Sequence, residues 1–309
     1  MEELYDCVIV GAGPAGLTAA IYARRARLKI AILEKSFVAG GQIADSSEVD
    51  NYPGLPGISG ADLGDAFLEH AKKFGVQTVR EDIASVEYDT QSGNFHICTA
   101  RHTYQTKTVI LASGARHRHL DIPGEEELSG MGVSYCATCD GAFFRDRTVA
   151  VVGGGNSAVE DAVFLSRICR KVYVIHRRDE LRGDKSAQEA LFARENVEIL
   201  WDTLPVRIQG EDQVEGIAVL NKKTGKERLL MVDGVFVAVG MVPNTEFLRG
   251  FMELDKGGYI KAGEDGITAV PGVFAAGDVR TKKLRQVVTA VSDGANAVYS
   301  AEEYLLKKG

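Results

Sequence analysis

At 309 residues, with 45% hydrophobic and 26% charged residues, the chain is long enough for two domains with their own cores and has an ordinary globular composition. Its 36 basic against 43 acidic residues leave a net charge of −7, and no long run of Lys or Arg offers the basic surface that nucleic acid as main partner requires. No apolar run approaches the roughly 18 to 20 residues that span a bilayer, and the acidic start runs into a strand pattern and not a leader, so a cytoplasmic protein is expected.

In chain order, an apolar strand leads into the glycine loop and helix of VIVGAGPAGLTAA (8–20), and KIAILEK (29–35) supplies a second strand. A helix is expected over 61–75. Residues 76–112 read as alternating strands with a turn at TQSGNF, closing in TVILASG (108–114). SYCATCDGAFF (134–144) follows. AVVGGGNSAVEDA (150–162) and KVYVIHR (171–177) then repeat the opening unit at an offset of 142 residues. Each copy is the start of a Rossmann-type unit: strand, glycine loop, helix, strand. GVFVAVG (234–240) ends the second copy as TVILASG ends the first, and GVFAAGD (272–278) repeats that ending.

The residues after 246 are too few for a separate core. They are expected to dock on the first unit, so that 1–116 and 246–309 form one discontinuous domain and 117–245 an inserted one, with crossings at Arg116–His119 and Pro243–Glu246. The fold class expected is α/β, with two Rossmann-like nucleotide-binding domains of three-layer ββα type.

The glycines have separate tasks. Gly11 and Gly153 turn the chain tightly out of the strand, Gly13 and Gly155 let backbone approach a diphosphate, and Gly16 and Ala158 keep the helix near the sheet. The diphosphate then meets unpaired N–H groups and the positive end of the helix dipole. The two second strands end differently. Glu34 ends the first, where a carboxylate accepts ribose hydroxyls and repels a 2′-phosphate. His176 ends the second and is followed by Arg177, Arg178 and Arg182, whose guanidinium groups suit a phosphate dianion. The first site should therefore take a dinucleotide without a 2′-phosphate, and the second NADPH.

Of five cysteines, Cys7, Cys98 and Cys169 sit in strand or helix patterns and read as small buried hydrophobes. Cys136 and Cys139 form a CxxC pair, which by spacing alone is compatible with half a zinc site, a structural staple or a redox-active disulfide. Zinc would need two more ligands, and the sequence has no second CxxC and no HxxxH, so no metal is expected.

GAGPAG (11–16), GGQ (40–42), NYPG (51–54), CATCDG (136–141), GGGNSA (153–158), HRRDELR (176–182), GxxPNT (240–245), GD (277–278) and RQVVTA (285–290) together resemble the low-molecular-weight bacterial thioredoxin reductases over essentially the whole chain. CATCDG between the two glycine fingerprints is the most diagnostic element. The resemblance implies FAD on Gly11, Gly13, Pro14, Ala15, Gly16, Glu34, Gly40, Gly41, Gln42 and Asn51, with Gly277, Asp278, Arg285, Gln286 and Val287 added from the late segment. It implies NADPH on Gly155, Asn156, Ser157 and His176, with Arg177, Arg178 and Arg182 at the 2′-phosphate.

By the same resemblance electrons pass from NADPH to FAD, to a Cys136–Cys139 disulfide and on to thioredoxin. Cys139 would face the flavin, Cys136 would attack the partner, and Asp140 would be the acid. The NADPH domain would rotate between half-reactions and the protein would be a homodimer. Phe143 and Phe144 would help grip thioredoxin, although two adjacent aromatics more often divide into one core and one surface residue. His117 and His119 read as surface residues of a hinge. Met131 stands where the family commonly has a basic residue that contacts the partner. That departure keeps a peroxiredoxin or glutaredoxin-like partner as the alternative, beside a nucleotide sensor or a ferredoxin–NADP electron-transfer flavoprotein, against which CATCDG speaks.

Overall fold

The structure is a computed structural model that describes residues 3–46 and 48–308. It divides into two units, Met1–Arg116 with Val242–Gly309, and His117–Met241. The first unit opens with β1 (Leu4–Val10), α1 (Pro14–Arg25), β2 (Ile30–Glu34), α2 (Gly60–Lys73), β3 (Thr78–Arg80), β4 (Ile83–Asp89), β5 (Asn94–Thr99) and β6 (Thr103–Leu111). The chain leaves through β7 (Ala115–His117).

The second unit comprises β8 (Val133–Ser134), α3 (Ala137–Asp140), β9 (Thr148–Gly153), α4 (Asn156–Leu165), β10 (Lys171–Ile175), α5 (Lys185–Phe192), β11 (Val197–Leu200), β12 (Thr203–Gln209), β13 (Gly216–Asn221), β14 (Glu227–Met231) and β15 (Gly234–Ala238). The chain returns through β16 (Met241–Pro243), which pairs with β7, and ends in β17 (Val273–Ala275) and α6 (Val287–Lys308).

In the first unit β3, β2, β1, β6 and β17 are parallel neighbours, while β4 and β5 form an antiparallel meander that also uses β6. β6 is divided between the two partners. Its first half, up to Thr106, faces β5, and Val109–Leu111 face β17. The central strand β1 is buried on both sides, which is why it reads as a continuous apolar run. Cys7 and Ile9 join α1, α2 and α6 in one core, whereas Val8 and Val10 pack on the meander side with Phe95 and Ile97.

The second unit repeats the layers. β11, β10, β9, β15 and β8 form a parallel sheet. Val149 and Val151 pack with α4 and α5, and Ala150 and Val152 face the meander of β12, β13 and β14. The α/β architecture of two Rossmann-like, three-layer units is thus present in both. The expected helix over 61–75 spans Gly60–Lys73, capped by Ser59, whose side chain accepts from the Asp62 N–H at 3.1 Å. Cys7 and Cys169 are buried, but Cys98 is half-buried, because its strand lies in the meander that covers the sheet. No helix among the described residues is long and apolar enough to cross a membrane.

Candidate redox and nucleotide sites

Cys136 and Cys139 are joined in a disulfide, with Cys136 at the cap position of α3. β8 and α3 bring Ser134 and Asp140 to the same place. The Ser134 hydroxyl donates to Asp140 Oδ2 at 2.6 Å and accepts the Cys136 backbone N–H at 3.1 Å. The Asp140 carboxylate caps neither the helical turn that holds it nor the next one. Burial pushes the Asp140 carboxyl above its ordinary value, against the Ser134 hydrogen bond, which lowers it. A carboxyl whose burial favours its protonated form, one residue from a disulfide, is suited to donate that proton to a departing thiolate.

The aromatic pair divides into two environments. Phe144 packs edge-on against Phe236, with ring centroids 5.2 Å apart, while Phe143 is exposed. Only Phe143 is therefore open to a partner. Met131 is exposed as well.

In the first unit the glycine loop has the division of tasks its spacing predicts. Gly11 has φ +101°, and a Cβ there would lie 2.4 Å from the Ala112 carbonyl oxygen; at Gly16 it would lie 1.8 Å from the Gly11 oxygen. Gly13 is different: the nearest atom to an added Cβ is the Gly40 oxygen, at 3.8 Å, so the loop leaves open space there. Gly40 N–H donates to the Ala12 carbonyl at 3.2 Å, which lays Gly40 and Gly41 over that loop, and Gln42 follows in a 3-10 turn. Glu34 accepts from the Ala12 N–H at 2.7 Å and the Ser36 N–H at 2.8 Å.

Pro14 opens α1, and Ala15 meets Gly277, where an added Cβ would be 3.0 Å from the Ala15 methyl. Asn51 donates to Gln286 Oε1 at 2.9 Å, just before Val287 begins α6. Asp278 Oδ1 and Arg285 Nε are buried polar atoms with no hydrogen-bond partner. Burial raises the Asp278 carboxyl, and the charges of Lys282 and Arg285 oppose that shift. An open glycine cradle at a helix start, a carboxylate beside it and orphaned polar atoms nearby fit a dinucleotide with ribityl and ribose hydroxyls.

In the second unit an added Cβ at Gly153 would lie 2.4 Å from the Ala238 oxygen and 2.6 Å from the Ala158 methyl, whereas at Gly155 nothing lies within 4 Å. A cavity of 460 Å³ opens beside Gly155, lined by Asn156, Ser157, His176, Arg177, Arg182 and other residues. It contains no carboxylate. Arg177, Arg178 and Arg182 are exposed, and none has a side-chain hydrogen bond or ion pair among the described residues. Arg178 lies outside the cavity wall.

His176 has another task. It is buried, and its ring nitrogens face the Gly153 carbonyl at 3.0 Å and the Glu180 carbonyl at 2.8 Å. Burial lowers its pKa, so the ring is largely neutral at pH 7. A neutral ring carries one N–H, so it donates to one of these two carbonyls, while both nitrogens are turned toward the protein between the glycine loop and the arginine loop.

Sequence reasoning missed a cluster around Tyr135, next to the redox pair. The Tyr135 hydroxyl donates to the buried Glu125 at 3.0 Å and lies 3.0 Å from His119 Nδ1, while the His117 ring stacks on the Tyr135 ring at 5.1 Å. Burial pushes His117 below its ordinary value, so it is no simple surface residue of a hinge. It missed, too, the buried cluster of Asp293, Arg280 and Lys282 on and before α6. Among the described residues no group of His, Cys, Asp or Glu gathers as a metal site.

A family model described as pyridine nucleotide-disulphide oxidoreductase matches residues 5–294. The chain is similar to a thioredoxin reductase of Listeria monocytogenes, at 46% identity over 98% of this chain and 95% of the relative. It is 42% identical to a thioredoxin reductase of Bacillus subtilis, over 98% of this chain and 96% of that one. Among solved structures it is similar to a thioredoxin reductase of Streptococcus pyogenes, with TM-score 0.93, 43% identity and coverage of 99% and 100% of the two chains.

Proposed function

This chain belongs to the pyridine nucleotide-disulphide oxidoreductase family, and from that premise we propose that it is an NADPH-dependent thioredoxin-disulfide reductase. The observation that carries the reading is the Cys136–Cys139 disulfide beside Asp140, whose burial favours its protonated form, in the same unit as a carboxylate-free cavity flanked by arginines that are unpaired among the described residues. FAD binds the discontinuous unit, on Gly11–Gly16, Glu34, Gly40–Gln42, Asn51, Gly277, Asp278 and Arg285–Val287, and when bound supplies two-electron transfer from nicotinamide to disulfide. NADPH binds the inserted unit. Gly155, Asn156 and Ser157 receive its diphosphate at the start of α4, and Arg177, Arg178 and Arg182 hold its 2′-phosphate.

Two electrons and one proton open the Cys136–Cys139 bond: Cys139 faces the electron source, Cys136 is the leaving sulfur, and Asp140 gives it the proton. Asp140, now a carboxylate, takes that proton back as Cys136 attacks one sulfur of the partner's disulfide, and the partner's other sulfur leaves and is protonated. Cys139 attacks the mixed disulfide, re-forms the Cys136–Cys139 bond and releases the reduced partner. The sum is NADPH, one proton and one disulfide giving NADP+ and one dithiol. Nicotinamide and disulfide belong to one unit and must each approach the same flavin to about 3–3.5 Å. The inserted unit therefore turns about its two crossings between half-reactions.

The enzyme works as a cytoplasmic homodimer, with no membrane or nucleic-acid partner. Thioredoxin is the partner class. Met131, exposed where the family has a basic residue, favours a variant partner such as a peroxiredoxin or glutaredoxin-like protein as the second reading. The test is NADPH-dependent turnover against a panel of thioredoxin-like proteins, with Cys136→Ser in parallel. The substitution is expected to abolish partner reduction and leave NADPH-driven bleaching of the flavin. Undiminished partner turnover would refute the relay.

A further inference from the structure

α6 crosses α1 so closely that a Cβ at Gly294 would lie 2.2 Å from the Ala15 carbonyl oxygen. The residue before that contact, Asp293, is 4% exposed and faces back along the chain. Its Oδ2 accepts from the Gly277 N–H, Arg280 Nε and Lys282 Nζ, each at 2.9 Å, and its Oδ1 accepts from Arg280 Nη2 at 2.6 Å. One carboxylate thus gathers the beginning, middle and end of the turn 277–282, which contains Asp278. The side chains of Arg280 and Lys282 are each 6% exposed. Arg280 has further acceptors in the carbonyls of Ala262 and Thr281, whereas among the described residues Lys282 has its hydrogen bond to Asp293 alone. Two buried cations on one carboxylate leave a surplus positive charge next to Asp278.

We propose that Asp293 is a positioning residue for the flavin dinucleotide: it fixes the 277–282 turn so that the unfilled Asp278 Oδ1 points to where the cofactor's hydroxyls lie, and it holds Lys282 as Asp278's counter-charge. The inference rests on the reading that FAD lies against Asp278. The geometry separates the roles. Asp278 offers an acceptor that nothing among the described residues fills, while Asp293's oxygens are filled from within. Removing Asp293's charge leaves Lys282 buried without a counter-ion, and the turn relaxes to hydrate it. Asp278 then loses its aim, although the like charge of Asp293, which raises the Asp278 carboxyl, is also gone.

The test is a thermodynamic cycle on FAD affinity, in full-length protein stripped of flavin and titrated with FAD, with NADP+ binding to the same samples as a control on the inserted unit. Asp293→Asn is expected to weaken FAD by about 10- to 100-fold, the range of one or two charge-assisted hydrogen bonds, with NADP+ affinity unchanged. In the Asp278→Asn background the same change should cost less than about threefold, because Asp293 acts through Asp278. Lys282→Met leaves Asp293 paired with Arg280 and so keeps the turn folded; it should weaken FAD by about threefold to tenfold.

Unaltered FAD affinity in Asp293→Asn, or a full and additive loss in the Asp278→Asn background, overturns the proposal. If Asp293→Asn does not fold, unaltered affinity in Lys282→Met overturns it. Wild-type affinity in Asp278→Asn alone would instead remove the FAD reading of this turn.

Discussion

The two glycine loops are the same device with opposite electrostatics. Glu34 and His176 occupy equivalent places after the second strand, and each turns inward to pin its loop. Glu34 accepts from the Ala12 N–H, whereas His176 lies against Gly154 and meets carbonyl oxygens at both ring nitrogens. The residue that the fingerprint marks as the selector is therefore partly a fastener in both units. In the second unit the proposed selection lies one step outward, at Arg177 and Arg182 on the cavity wall. The second unit carries a redox pair after its edge strand β8, whereas after β17, the matching edge strand of the first sheet, comes the turn that contains Asp278. The two units repeat one frame, and they differ at the redox pair and at the charge beside the glycine loop.

Paired substitutions at the open glycines break this comparison most severely. Gly13→Val and Gly155→Val each place a side chain where the diphosphate is read to lie, with no clash against the protein at Gly155. Gly13→Val is expected to lose FAD and Gly155→Val NADPH, each by about a thousandfold, the equivalent of about 4 kcal/mol. Flavin absorbance of the purified protein and NADP+ titration by calorimetry check the pair, and a crossed outcome would show that the two loops are assigned the wrong way round.

Arg177→Gln with Arg182→Gln should lower kcat/KM for NADPH by about 100- to 1000-fold and change the NADH value by less than about threefold. Equal losses with both coenzymes would return the arginines to a structural role. Asp140→Asn tests the feature with no counterpart in the first unit. Because burial raises the Asp140 carboxyl, its protonated, donating form dominates below that elevated pKa and is lost as pH rises through it. Disulfide reduction by the wild type should therefore fall at the alkaline end. In the Asn variant it should be slower by about 100-fold and lack that limb, as rapid-mixing measurements across pH would register.

The smallest effects concern the fasteners. Glu34→Gln and His176→Gln should each destabilise the protein by about 1 kcal/mol, seen as a shift in denaturant midpoint. His176→Gln should also weaken NADPH by a few fold with no change in NADPH-over-NADH preference. A lost preference would make His176 a phosphate ligand after all.

The glycine loops, the arginines and the CxxC pair were legible because their requirements are local. A loop that must avoid the Ala112 oxygen and leave space for a diphosphate restricts residues a few positions apart. Asp293 was not legible. Its partners are Gly277, Arg280 and Lys282, and an Asp in a helix looks alike in sequence whether it meets solvent or a buried cation pair. Tyr135 was hidden in the same way, since nothing local predicts that Glu125, His117 and His119 converge on it. The meander of β12, β13 and β14 left little trace, because its short strands follow two nearly continuous apolar runs that dominate the pattern. Cys98 read as buried because its strand alternates like a core strand, although the sheet it joins shows one side to water.

The division of β6 between two partners has a consequence for synthesis. As the chain emerges from the ribosome, β1 and β5 can pair with β6 at once, but Val109–Leu111 keep one flank bare until residues 273–275 arrive. All of 117–241 is made in that interval and has its own sheet, helices and core, so the insert is complete while its host still waits for an edge. A nascent chain stalled shortly after residue 241 should resist protease across the insert and be cut within the first hundred residues. The later-made α6 then closes on α1 and seals the half that was begun first.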